Sequence, residues 1–352
     1  MSIAKRTVHS VQFLRFVAAT LVVAFHAHLS LSEPLGGARS AAELYLFRFG
    51  AVGVHIFFVI SGYIMYLTSM DRGEAFSPVR FLQRRLIRIY PVYWAFALLY
   101  IGVHAAIGSP YRLAPDGYVL TLSLWPGHAS NVIGPAWTLA FEMYFYLAFA
   151  AWMTLGARKG LVGITVFFAA SIAIGKLAGV EHPVVTLMTD TLLAEFVAGL
   201  WVARITADSA WSRRTGWGAV LGALALFAGG LAIGYERAPS ALVWGLPSAL
   251  LVAGCVILER TGGLPGTRRL SMLGDSSYSL YLCHILLIDV ILMLLHQFAL
   301  RPPIMVVVLA STLASIAGAH AFYLLVERRL VARLNKITFG RSRRLGTAVA
   351  AT

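Results

Sequence analysis

The chain has only two cysteines, Cys255 and Cys283, in 352 residues. That excludes a disulfide framework, and no Cys/His spacing suggests a zinc or other metal site. Both cysteines lie inside apolar runs and read as small buried hydrophobes. Charge is scarce at 12% of residues, and acid is scarcer, with 15 Asp and Glu against 29 Lys and Arg. No phosphate-cradling glycine loop, G-x-S-x-G elbow, internal repeat or low-complexity tract occurs. These absences set aside P-loop enzymes, elbow-type serine hydrolases, solenoids and metal-centred chemistry. What is abundant is apolar surface: 59% of residues are hydrophobic and the mean hydropathy is +0.77. Long apolar runs at this density predict a polytopic membrane protein, an all-α bundle.

Ten candidate spans can be placed, near 11–30, 47–68, 89–107, 137–155, 160–178, 185–205, 215–234, 241–258, 276–298 and 303–326. The first is too long for a signal-peptide core and contains Arg15, so it reads as a retained span. An even number of spans puts both termini on one side. On that side fall 22 of the 29 basic residues, including the Arg72–Arg88 cluster and seven from Arg328 to Arg344; six fall opposite, and Arg15 lies within a span. The positive-inside rule then predicts cytoplasmic termini. It also explains the net charge of +14 as a topology signal, so a nucleic-acid partner is not expected. The expected organisation is one membrane domain over residues 1–340 with a basic cytoplasmic tail at 341–352, in the inner (plasma) membrane.

Polar residues inside the spans carry the functional signal, because ionisable groups at membrane depth are costly. In VQFLRFVAATLVVAFHAHLS, Arg15 and His26 are eleven residues apart, close to three helical turns and therefore on nearly one face. His26 lies roughly 16 Å along the axis from Arg15. His28 points to another face. His26 reads either as a satisfied core histidine or as a functional base. In RFLQRRLIRIYP, Arg84, Arg85 and Arg88 precede the third span at helical spacing. They are either positive-inside anchors or, being Arg rather than Lys, planar donors for a phosphate-bearing cytosolic ligand. Glu142 in WTLAFEMYFYL is either an interhelical clasp or a functional carboxylate, with Tyr146 one turn along its face. Gly50, Gly53 and Gly62 permit close helix approach, and Ser61-Gly62 marks a bend or cavity. His55 reads as a packing histidine. The external connection Gly108 to Ala136 is long enough to suggest a functional loop. In SSYSLYLCHILL, Cys283 and His284 diverge by about 100° and make a poor dyad; the run reads as packing, with His284 facing inward.

Taken in order, FLRFVAATLVVAFHAHL, GVHIFFVISGYIM, RFLQRRLIRIYPVYW, WTLAFEMYFYL, SYSLYLCHI and Val326-Glu327 resemble the acyltransferase-3 family of integral membrane acyltransferases. The FFVISG form is most similar to exopolysaccharide-type members. The resemblance implies transfer of an acyl group, usually acetyl from acetyl-CoA, to a sugar hydroxyl of an envelope or exported glycan. It matches Arg15 and His26 to the family's essential Arg/His pair, and Arg85 and Arg88 to its cytoplasmic arginine motif. Many members have an acidic residue where this chain has His55. The expected sites are therefore His26 and Glu142 for catalysis and Arg15, Arg84, Arg85 and Arg88 for acetyl-CoA. The expected partners are membrane lipid and a polysaccharide or lipid-linked glycan. A secondary transporter of a sugar or lipid-linked glycan is the rival reading, and a scaffold without chemistry is a third.

Overall fold

The structure is a computed structural model that describes residues 8–32, 41–70, 76–208, 210–235, 239–262, 264 and 267–349. The helices are α1 (His9–Ser32), α2 (Ala41–Arg48), α3 (Val52–Met70), α4 (Pro78–Ala106), α5 (Pro115–Leu122), α6 (Trp137–Trp152), α7 (Ala157–Ala178) and α8 (Pro183–Thr189). They continue as α9 (Leu193–Asp208), α10 (Arg213–Ile233), α11 (Leu246–Arg260), α12 (Thr267–Asp275), α13 (Ser277–Gln297), α14 (Ile304–Phe322) and α15 (Arg328–Val349). No strand occurs among the described residues. Among the described residues, ten helical stretches are long and apolar enough to cross a membrane, matching the ten spans expected from sequence. The proposed boundary at residue 340 falls inside α15.

Three features differ from the sequence reading or sharpen it. First, Arg80, Arg84, Arg85 and Arg88 belong to the third span rather than to a loop before it, while Arg72 lies outside the described residues. Arginine favours helix as well as lysine does, and Ser77 caps the start of α4 by accepting from the Arg80 amide at 3.4 Å, with Pro78 in the first turn. The helix then runs 29 residues and carries Pro91 inside it. Second, the Gly108–Ala136 connection folds back into the bundle. Tyr90, Tyr93 and Trp94, on one face of α4, donate to the carbonyls of Ser123 (2.9 Å), Thr121 (2.8 Å) and Leu122 (2.9 Å). These carbonyls end α5, where a helix has no partners of its own. Irregular backbone is tolerated at membrane depth only where protein satisfies it, and the aromatic donors do so here. Trp94 lies twelve residues before the end of α4, so the connection descends roughly 18 Å along that helix.

Third, the start of α1 is anchored by residues far along the chain. Glu259, in the last turn of α11, accepts from the amides of His9 (2.9 Å) and Ser10 (2.8 Å) and from the Ser10 hydroxyl (2.6 Å). It thus fills the role of a helix N-cap and complements the helix dipole. Gln12 donates to Asp275 at 2.6 Å. These bonds gather the beginning of α1 and the ends of α11 and α12 on one face of the bundle. Close packing of α3 on α9 depends on two glycines. A Cβ on Gly62 would strike the Phe196 carbonyl, and one on Gly199 would strike the Val59 carbonyl. This is the small-residue crossing that brings membrane helices together.

Candidate active site

Between α1, α3, α4, α6 and α13 lies a cavity of about 270 Å³. Its walls hold Arg15 and Gln12 from α1, Ser61 and Phe57 from α3, and Arg85 and Arg88 from α4. Thr138, Glu142 and Tyr146 of α6 and Tyr278 and Tyr281 of α13 complete it. Three guanidinium groups and one carboxylate thus line the cavity, with Glu327 and Asp275 within electrostatic reach of Arg15; guanidinium groups on a wall suit planar anionic groups.

Arg15, Arg85 and Glu142 are each held in place by neighbouring side chains. Arg15 donates to Gln12 at 3.1 Å and lies within electrostatic reach of Arg88, Glu327, Asp275 and Glu142. The Arg85 guanidinium sits over the rings of Phe81 (5.5 Å) and Tyr146 (5.8 Å) and reaches Thr68 at 3.4 Å. Its Nε is buried and has no hydrogen-bond partner among the described residues. A buried donor without a partner is costly, which is the condition a bound anion would relieve. Glu142 accepts from Ser61 at 2.9 Å and from the Tyr146 hydroxyl one turn along its own helix. It clasps α3 to α6 and also lines the cavity, so both sequence readings of this carboxylate are compatible with its position.

Two of the expected site residues lie off the cavity wall. Arg84 points to α15, where its guanidinium sits 5.2 Å from the centre of the Phe339 ring. His26 is reached only beyond Tyr281. The Tyr281 hydroxyl is fixed by Thr138 (2.9 Å) and the Pro135 carbonyl (2.9 Å), and its ring centre is 6.0 Å from that of His284. His284 in turn meets His26, with Nε2 3.2 Å from His26 Nδ1. The separation follows from axial distance, since eleven residues of α1 carry His26 roughly 16 Å past Arg15. His28 is buried and stacked on Phe47 at 4.0 Å, on another face as its spacing requires. His55 pairs with the buried Glu195 at 2.6 Å and packs on Trp244.

The sequence pointed to four of the wall residues, Arg15 and Glu142 as charges inside apolar runs and Arg85 and Arg88 as arginines at helical spacing beside a span. It did not single out Gln12, Thr138, Tyr278 or Tyr281 as wall residues, because polar groups of this kind serve equally as packing in any apolar helix. The available signal was the spacing of Tyr278 and Tyr281, three residues apart and hence one face of α13.

The geometry places an arginine-lined cavity and a histidine pair within one helical bundle. A family model, Acyl_transf_3, described as an acyltransferase domain, matches residues 8–323. The chain belongs to the acyltransferase-3 family. As a family member it is a membrane acyltransferase. It is 33% identical over 318 residues to the exopolysaccharide production protein ExoZ of Rhizobium meliloti (strain 1021), covering 86% of the chain and 95% of that relative. It is 26% identical over 311 residues to the acyltransferase MdmB of Streptomyces mycarofaciens, covering 78% of the chain and 77% of the relative. It is 23% identical over 226 residues to the peptidoglycan O-acetyltransferase OatA of Listeria monocytogenes serovar 1/2a (strain ATCC BAA-679 / EGD-e), covering 56% of the chain and 34% of the relative. No solved structure matches the chain. The matched residues span α1 to α14 and contain every wall residue of the cavity.

Proposed function

We propose that this acyltransferase moves an acetyl group from cytosolic acetyl-CoA to a hydroxyl of an exported or envelope polysaccharide, across the inner membrane. The observation that carries the reading is the cavity with Arg15, Arg85 and Arg88 on its wall and an unpartnered buried Nε on Arg85. Relatives whose names are an exopolysaccharide production protein and a peptidoglycan O-acetyltransferase support the acceptor class and the acetyl group. The cavity volume, near the lower edge of small-molecule sites, suits the acyl-pantetheine arm. The nucleotide would stay at the mouth, with its phosphates on Arg15, Arg85 and Arg88 and with Arg84 on the adjoining turn.

In the reaction, His26 Nε2 takes the proton from the acceptor hydroxyl as its oxygen bonds to the thioester carbonyl. Collapse breaks the carbon–sulfur bond, and the leaving thiolate takes that proton back from the imidazolium. The products are the acetyl ester and CoA thiol. Base catalysis of this kind contributes roughly 10²–10⁴-fold. The reading requires the acyl end to pass Tyr281, which separates the cavity from the histidines. Glu142 would orient the donor or the acceptor hydroxyl from the opposite wall.

Sealed inverted vesicles holding acceptor glycan in the lumen test this. Labelled acetyl-CoA added outside should label the glycan. Arg85→Ala combined with Arg88→Ala should raise the donor KM by at least about tenfold, equivalent to roughly 1.4 kcal/mol. Labelling only when acetyl-CoA is inside with the glycan would overturn the through-membrane route, and no labelling in either arrangement would overturn the donor.

A further inference from the structure

His26 and His284 make a pair of contacts whose donors and acceptors can be assigned. His26 Nδ1 lies 2.9 Å from the Val22 carbonyl. His284 Nδ1 lies 3.2 Å from the Leu280 carbonyl. A carbonyl oxygen only accepts, so both Nδ1 atoms must carry the hydrogen. In a neutral ring His284 Nε2 is then a bare lone pair, and it faces His26 Nδ1 at 3.2 Å. The His26 Nδ1–H is therefore shared between Val22 O and His284 Nε2. The opposite arrangement, His284 Nε2–H aimed at a bare His26 Nδ1, would set that lone pair against the Val22 oxygen at 2.9 Å. His26 Nε2 is left with its lone pair and no hydrogen-bond partner among the described residues.

The two rings differ in burial as this division of roles requires. His284 is fully buried, at 0% exposure, whereas His26 is half-buried. The ring centres are 5.0 Å apart, and Tyr281 packs on His284 from the cavity side.

We infer that His284 is a positioning residue. By accepting from Nδ1–H alongside the Val22 carbonyl, it helps to hold His26 in the tautomer whose free nitrogen is Nε2, and it orients that nitrogen for the acceptor hydroxyl. This rests on His26 being the base in the proposed function. When His26 takes the hydroxyl proton on Nε2, the positive charge shared with Nδ1 is met by the same two acceptors, Val22 O and His284 Nε2. Orienting partners of functional histidines typically matter by 10- to 100-fold when lost.

The test compares His284→Ala with His284→Gln, whose side-chain oxygen can accept at the position of Nε2. The proteins are purified in detergent with 15N-histidine label. In the unsubstituted protein, the nitrogen shifts of His26 should report Nδ1–H. His284→Ala leaves the Val22 carbonyl as the one remaining acceptor, so the Nδ1–H signal should weaken without vanishing, the ring should lose its fixed orientation, and kcat should fall by roughly 10- to 100-fold, with the donor KM essentially unchanged. His284→Gln should restore the Nδ1–H signal and most of kcat. An Nε2–H signal for His26 in the unsubstituted protein overturns the inference without any variant having to fold. So does a folded His284→Gln that is as slow as His284→Ala, or a His284→Ala with full kcat. If His26→Ala keeps transfer, the base reading falls, while the tautomer signals still report whether His284 sets the ring.

Discussion

His26, His28 and Glu142 have neighbours that separate chemistry from packing. Under the proposed function, His26→Ala removes the free Nε2 and should lower transfer by roughly 10²–10⁴-fold, with expression and donor binding retained. His28→Ala removes the stack on Phe47 together with the other contacts of this buried ring; it should cost about 1 kcal/mol or more of stability with little loss of transfer. Equal losses of transfer in the two variants would show that the face of α1 does not decide function. Glu142 accepts from two hydroxyls. Glu142→Ala strands both donors and should cost about 1–3 kcal/mol by detergent melting. Glu142→Gln keeps an accepting oxygen and should melt close to the unsubstituted protein. Lost transfer in the Gln variant would then belong to the carboxylate charge in the cavity and not to the clasp. His55, by contrast, is spent on Glu195 and Trp244, which fits its reading as a packing histidine.

Among the elements, α4 does the most to place the site. Its first turns carry Arg85 and Arg88 to the cavity, and its Tyr90–Trp94 face holds the descending connection. Tyr93→Phe removes one of the two donors to the Thr121 carbonyl, which keeps the Leu124 amide at 3.0 Å, and should cost about 0.5–1.5 kcal/mol. Limited proteolysis should then cut between Gly108 and Ala136 sooner than in the unsubstituted protein; unchanged cutting would mean that the segment is held by other contacts. The α3–α9 crossing is the second placing device, because α3 brings Ser61 to Glu142. Gly199→Val puts a branched side chain against the Val59 carbonyl and should push the helices apart, costing about 1–3 kcal/mol as overpacking does. A Gly199→Val protein that melts with the unsubstituted one would contradict the packing.

For the whole molecule, the remaining question is orientation. The 22-to-6 bias in Lys and Arg predicts that the face bearing Arg85, Arg88 and α15 is cytoplasmic. Single cysteines at Glu181 and Lys336, both exposed, test it with a membrane-impermeant maleimide. Cys255 and Cys283 are buried and should stay silent. In intact cells Glu181→Cys should label and Lys336→Cys should not; the reverse pattern would invert the protein. The sequence alone determined the number of spans, because apolar length against bilayer thickness is a one-dimensional quantity. It also picked out Arg15, His26 and Glu142, since a polar group in an apolar run stands out wherever the run packs, and Arg84, Arg85 and Arg88 as arginines at helical spacing beside a span. The tertiary structure decided what those residues meet. His26 finds His284 across 258 positions, and Ser10 finds Glu259 across 249. No spacing rule reaches that far, because such pairs are set by which helices pack together. The descent of the Gly108–Ala136 segment was hidden for a related reason. Tyr, Trp, Pro and Gly compose surface loops and buried ones alike, and only the donors that satisfy its carbonyls distinguish the two.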